Sequence, residues 1–231
     1  MPALKEFVKD VAKKSGYRIS VHRDPFEDIR SLIGAENITA LDIGANKGQT
    51  ITMLQGVFKN PTIHAFEPTP KCFDILKNTV SGSVHLNQFA VGSEVGQLEF
   101  REAGHDVMSS LLEPAANGWN GRGWKDIKQR YMVNVTTVDS YCAEHSISRV
   151  DLLKTDTQGY DLNVLKGAVK TLGIVGFVYI EMNLIEMYEG QASFDDLYRF
   201  LSDHNFMLHG VYETHADWVD GLFINRALKQ R

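Results

Sequence analysis

Short apolar segments bounded by turn residues alternate with helix-patterned segments along most of this chain, and that alternation restricts the fold more than any other feature. The strand-like segments are ITALDI (38–43), TIHAFE (62–67), VHLNQFAV (84–91), VDLLKTD (150–156) and VGFVYIEM (175–182). Helix-patterned stretches fall at 48–58, 69–80, 160–172 and 193–205. In the second, Thr69 is placed to cap and Pro70 to occupy the first helical position. In the last, Ser193 precedes two aspartates of the first turn, a capping arrangement. Nearly continuous apolar strands need cover on both faces, which helices supply in a parallel α/β sheet. Two more strands, FMLHGVYE (206–213) and WVDGLFINR (218–226), are joined by a short polar turn and predict a C-terminal antiparallel hairpin. The expected fold class is therefore α/β, with a mostly parallel sheet flanked by helices on both faces.

The 231 residues suit one large domain, 38–231, preceded by a helical segment, 1–37, that packs on it. Leu4, Phe7, Val8 and Val11 share one face of that segment and lysines line the other, so it reads as a docking helix or a membrane-surface anchor. No apolar run has the length of a transmembrane segment. Cys72 and Cys142 lack metal-ligand spacing and read as buried thiols of a cytoplasmic protein. A net charge of −5 argues against general nucleic-acid binding, which rests on neutralising phosphates. The longest irregular stretch, 102–131, is rich in glycine and asparagine and is expected to be a lid over an acceptor site. It carries Arg122, Lys125, Lys128 and Arg130 with Trp119 and Trp124, either a solvated face or a surface for an anionic or glycosidic ligand.

LDIGANKGQT (41–50) runs from the carboxyl end of the first strand into a helix, the place where open α/β sheets bind ligands. Gly44 and Gly48 remove side chains where the backbone must turn, and Asp42 and Asn46 bring polar groups to the same edge. Asn46 stands where the dinucleotide fingerprint needs glycine, which disfavours a nicotinamide-dependent oxidoreductase, and no G-K-[ST] follows to form a phosphate loop. Glu67 ends the second strand 19 residues after Gly48, where an acid can take both hydroxyls of a ribose; a helix-dipole partner is the other reading. The ligand these residues describe has a ribose and needs no phosphate.

LDIGANKGQT, AFEPTPKCFDILKNTV, NQFAVGSEVGQLEF, VNVTTVDSYC and DLLKTDTQGYDLNVLKGA, in that order, resemble the FkbM family of methyltransferases over roughly residues 38–212. The resemblance implies a class I methyltransferase (Rossmann-like) fold, S-adenosyl-L-methionine as cofactor, and O-methylation of a hydroxyl on a glycan or small natural product. It matches Asp42, Gly44, Asn46 and Gly48 to the family's first motif and Glu67 with Pro68 to its second. Ala90 and Val91 then flank the adenine, Ser109, Ser110 and Leu111 lie near the cofactor's amino-acid end, and Asp156 closes the fourth strand. The family's D-x-E-G is here Asp156-Thr157-Gln158-Gly159, and an amide cannot accept a proton. A module that binds the cofactor without turnover is the alternative this departure keeps. Asp161 reads as a helix-dipole partner.

Transfer to oxygen needs a base near the sulfonium, at the ends of the fourth and fifth strands. Asp156 and Glu181 stand there, a pair able to hold a proton or a divalent metal; for Asp156, anchoring the cofactor is the other role. His209 is a third candidate base, since an unperturbed pKa of about 6.5 suits neutral pH. Glu186, Tyr188 and Glu189 line the acceptor pocket or cap a helix.

Overall fold

The computed structural model describes residues 24–116, 126–212 and 215–227, so the amphipathic stretch 1–18, expected to dock as a helix, and Trp119, Arg122, Trp124 and Lys125 of the basic patch lie outside it. The first element, α1 (Pro25–Ile33), starts where Asp24 accepts the Phe26 amide at 2.8 Å and stops at Gly34, which is left-handed at φ 65°. Then come β1 (Thr39–Ile43), α2 (Gln49–Val57), β2 (Thr62–Phe66), α3 (Pro70–Thr79) and β3 (Val84–Asn87). A smaller unit follows: β4 (Ala90–Val91), β5 (Gly96–Ala103) and β6 (Ile127–Thr136). The chain returns through α4 (Val138–Glu144), β7 (Val150–Thr155), α5 (Asp161–Lys166), β8 (Val175–Asn183), α6 (Phe194–Asp203), β9 (Phe206–Tyr212) and β10 (Trp218–Asn225). No helix among the described residues is long and apolar enough to cross a membrane.

The main sheet has the order β3-β2-β1-β7-β8-β10-β9, parallel from β3 to β8 and antiparallel across β8, β10 and β9. Strand alternation divides the core between its two faces. Ala40, Phe177 and Tyr179 point to one cluster, with α1 and α2, while Leu41, Ile43, Val178 and Ile180 point to the other, with α4, α5 and α6. All nine residues of β8 are buried, as a strand covered on both faces requires. The α/β architecture with its antiparallel end is thus the one expected, and Ser193 forms the capping box with Asp196.

Three local expectations need correction. VHLNQFAV is not one strand: the Asn87 amide turns back to donate to Ala65 O at 3.2 Å and Tyr141 Oη at 3.1 Å, and Ala90–Val91 joins β6 in the second sheet. The helix expected at 160–172 ends at Lys166, and the residue that follows, Gly167, packs so closely on the Gly92 carbonyl that a Cβ there would overlap it. Asp139 then accepts the Thr171 amide at 2.8 Å and turns the chain into a 3-10 segment, Thr171–Ile174. The stretch 102–131 is not a free lid over its described part. Ser110 exchanges backbone hydrogen bonds with Arg101 (2.9 and 3.1 Å), Glu113 O accepts from Glu189 N (2.8 Å) and Ala115 N donates to Met187 O (2.9 Å). Residues 110–115 are therefore a strap, bonded to the β5 hairpin at one end and to the segment after β8 at the other.

Candidate active site

The carboxyl ends of β1, β2 and β7 open into a cavity of about 220 Å³. Its floor is the turn after β1, where Gly44 (φ 80°), Asn46 (φ 48°) and Gly48 (φ 91°) are all left-handed and the amides of Gly44 and Ala45 share the Phe66 carbonyl at 3.0 Å. A Cβ on Gly44 would overlap the carbonyl oxygen of Asp156. The glycine is needed so that β1 can pass β7, a structural demand on the turn in its own right. At Gly48 a Cβ would come within 3.1 Å of Leu76, so the second glycine seats α2 against α3.

Glu67 is buried at the end of β2, and its carboxylate accepts from Asn46 N (2.9 Å), Thr69 N (2.8 Å) and Thr69 Oγ1 (2.6 Å). Thr69 thus holds Glu67 instead of capping α3 with its hydroxyl. Burial pushes the Glu67 pKa up, while the hydrogen bonds from Thr69 and Asn46 pull it back. Three donors leave about one of the carboxylate's four acceptor sites open, and Glu67 and Pro68 both line the cavity. Beside them Phe66, Phe89, Ala90, Val91 and Phe100 form an apolar wall.

On the β7 side Lys154 stands opposite Asp42 in register, with Nζ 3.1 Å from Asp42 Oδ1, 2.9 Å from Gly44 O and 3.8 Å from Asp156 Oδ2. Burial works against the lysine charge, but Asp42 and Asp156 outweigh it and hold its pKa above the ordinary value. Burial likewise raises Asp42, opposed by Lys154. Lys154 is a site residue that the sequence reading missed. The available signal was a lysine inside an otherwise apolar strand, a placement rare without a charge partner.

Asp156 reaches the cavity with its side chain 39% exposed. Glu181 is nearly buried on β8, and its carboxyl is pushed well up by burial and by Asp156, Asp161 and Asp220. Gln158 Nε2 lies 2.9 Å from Asp156 Oδ1 and 3.5 Å from Glu181 Oε2. Asp161 is more than a dipole partner: buried, it accepts from Thr155 Oγ1 (2.6 Å) and Thr157 N (3.0 Å). Ser110 holds the Gln158 carbonyl at 2.7 Å from its hydroxyl, and it is Ser109 that lines the cavity.

Other candidates are not brought together here. His209 is exposed on β9, two strands from β8, at the irregularity where Leu208 faces Phe223 and Gly210 faces Leu222. It has no partner position in the ladder and does not line the cavity, because the extra residue turns it outward. Glu186 and Glu189 are exposed, while Tyr188 is buried. Arg130 is engaged in the hairpin by Glu113 (2.6 and 2.9 Å) and Glu99 (3.1 Å), and Arg130 and Arg101 together hold the Glu113 carboxyl down at about 2. Among the described residues no group of three or more His, Cys, Asp or Glu side chains is arranged to hold a metal ion.

Comparison with known proteins fits this geometry. The model of the methyltransferase FkbM domain matches residues 42–208. The chain is similar to the 2-O-methyltransferase NoeI of Sinorhizobium fredii, at 25% identity covering 81% of this chain and 79% of that protein. It is also similar to the hexuronic acid methyltransferase AglP of Haloferax volcanii, at 24% identity covering 75% and 74%. Among solved structures the METTL16 methyltransferase domain shares the fold, with a TM-score of 0.50 at 10% identity, covering 86% of this chain and 64% of that one. The match spans β1 to β9 and takes in the glycine turn, Glu67 and the Asp156 turn together: the chain belongs to the FkbM family of S-adenosylmethionine-dependent methyltransferases.

Proposed function

We propose that this protein moves a methyl group from S-adenosylmethionine to a hydroxyl oxygen of a saccharide, with 38–231 as the catalytic domain and the preceding segment packed on it. The observation that carries the proposal is Asp156: a carboxylate partly open to the cavity, on the strand next to the glycine turn and tied in place by an amide. The residues present fit the cofactor. Glu67 has a free acceptor site for a ribose hydroxyl, the wall of Phe66, Phe89, Ala90 and Val91 suits a flat base, and the Gly44–Asn46 part of the turn lines the cavity where an amino-acid tail would lie. The relatives' names, a 2-O-methyltransferase and a hexuronic acid methyltransferase, support a sugar hydroxyl as acceptor.

The cofactor supplies an electrophilic methyl carbon. The protein would orient the acceptor hydroxyl, and Asp156 would take its proton while the methyl C–S bond breaks and its electron pair stays on the neutral thioether. Lys154, tied to Asp42, keeps a positive charge 3.8 Å from the Asp156 carboxylate. Incubation with methyl-labelled cofactor and a panel of neutral, amino and uronic saccharides tests this, read by mass spectrometry. A gain of one methyl mass on a hydroxyl supports the proposal. Binding of the cofactor with no product across the panel favours a module without turnover.

A further inference from the structure

The turn from β7 into α5 carries two successive left-handed residues, Gln158 at φ 55° and Gly159 at φ 89°. Glycine accepts that conformation freely and glutamine does not, so something must hold Gln158 there. Two outside elements do. From the strap, Ser110 Oγ donates to the Gln158 carbonyl at 2.7 Å. From the segment after β8, Tyr188 packs on Gly159 and its hydroxyl donates to Gln158 Oε1 at 2.9 Å. That leaves the amide nitrogen facing Asp156 Oδ1 at 2.9 Å and Glu181 Oε2 at 3.5 Å. The Tyr188 hydroxyl donates to the amide oxygen and Asp156 Oδ1 accepts from the amide nitrogen, so the two contacts give one orientation, nitrogen toward the acids and oxygen toward the tyrosine.

The setting makes such a donor valuable. Asp156 and Glu181 follow the register pair Thr155–Ile180 and stand side by side, with Asp220 of β10 directly opposite Glu181. Asp161 of α5 adds a fourth carboxylate, engaged by Thr155 and Thr157. Lys154 is the cation beside them, and it also serves Asp42. Burial and the other three acids favour the protonated form of Glu181.

We propose that Gln158 is a positioning residue for the methyl-transfer site: its amide nitrogen aims Asp156 into the cleft and holds Glu181 beside it, and Ser110 and Tyr188 lock the amide in that pose. The proposal deepens the reading of Asp156 as proton acceptor and rests on it. A carboxyl at position 158 can do the amide's work only while protonated. Once ionised it offers no donor and adds a further negative charge next to Asp156.

The test is a carboxyl-carbon NMR titration of the full chain labelled at Asp and Glu, with the two signals assigned through Asp156→Asn and Glu181→Gln. In Gln158→Glu the Asp156 midpoint is expected to rise by roughly one unit or more, the scale of a lost donor and a gained like charge. Affinity for S-adenosylhomocysteine, measured by calorimetry, is expected to stay within about threefold, since the ribose and base contacts are elsewhere. Tyr188→Phe leaves the backbone at 158 untouched, frees the amide to rotate, and is expected to move the same midpoint upward by less. An Asp156 midpoint unchanged within about 0.2 unit in both variants overturns the proposal. Failure of the wild-type protein to bind S-adenosylhomocysteine would instead overturn the parent reading, and the titration reports separately from it. If Gln158→Glu does not fold, Tyr188→Phe decides alone.

Discussion

The two ends of the cleft are built on opposite plans. At the β1–β2 end the acid is surrounded by donors: Glu67 takes two backbone amides and a hydroxyl, and these pin the glycine turn to β2. At the β7–β8 end acids face acids, and Asp156, Glu181 and Asp161 share few donors, among them the Gln158 amide. The first plan gives a rigid, satisfied surface suited to holding a large ligand the same way each time. The second keeps charged groups in tension, and perturbed acids of that kind are suited to proton transfer. On the proposed reading, binding and chemistry are separated along one sheet edge.

The sharpest way to break this contrast is at the point where the ends touch. Gly44→Val drives a side chain into the Asp156 carbonyl from a left-handed position, and should cost roughly 3–5 kcal/mol from strain and overpacking together. Urea unfolding reads it, and a wild-type midpoint would mean that the turn is looser than described. Next comes Asp156→Asn, which should keep cooperative unfolding while turnover on an accepted saccharide falls by about 10²-fold or more. If saturating cofactor restores the rate, Asp156 is an anchor, and the separation of binding from chemistry fails.

Glu67→Ala should weaken S-adenosylhomocysteine binding by about 1.5–3 kcal/mol in calorimetry, the scale of hydrogen bonds to a charged group. Unchanged affinity in the folded variant would remove Glu67 from the binding end. The smallest effect is at Glu181. Its pKa is raised in the folded protein, so whatever stability it brings is present below the unfolded value, near 4.5, and is lost as pH rises through the folded value. Glu181→Gln should therefore stabilise the protein at pH 8, on the order of 1 kcal/mol or a few degrees in Tm, with the gain fading toward pH 4. A variant less stable than wild type at pH 8 would show that the acids are not in tension.

Much of this was legible in the sequence because strand and helix periods report burial directly. β1, β2, β7 and β8 appear as apolar runs, and the glycine turn and Glu67 stand at their ends in order. What was hidden depends on partners distant in the chain. Gly167, just past the end of α5, sits against the Gly92 carbonyl, and nothing within 160–172 announces that contact. The hairpin arms inside 102–131 and 84–91 are strands because each finds the other sheet. Lys154 becomes a site residue only through its register with Asp42, more than a hundred positions earlier. Gln158 reads as the loss of a carboxylate until Tyr188 and Ser110 show what its amide holds.

The position of β10 has a consequence for how the chain is made. β10 lies between β8 and β9, so the strand synthesised after both is the one that joins them. Until Trp218–Asn225 has emerged from the ribosome, one flank of β8 lacks its final partner and β9 has no ladder to enter. β8 is the strand with every residue buried, so a half-made chain presents a long apolar edge of the kind that invites pairing between molecules. A chain made past β8 but not yet through β10 therefore carries that open edge, and is expected to associate more readily than the completed one.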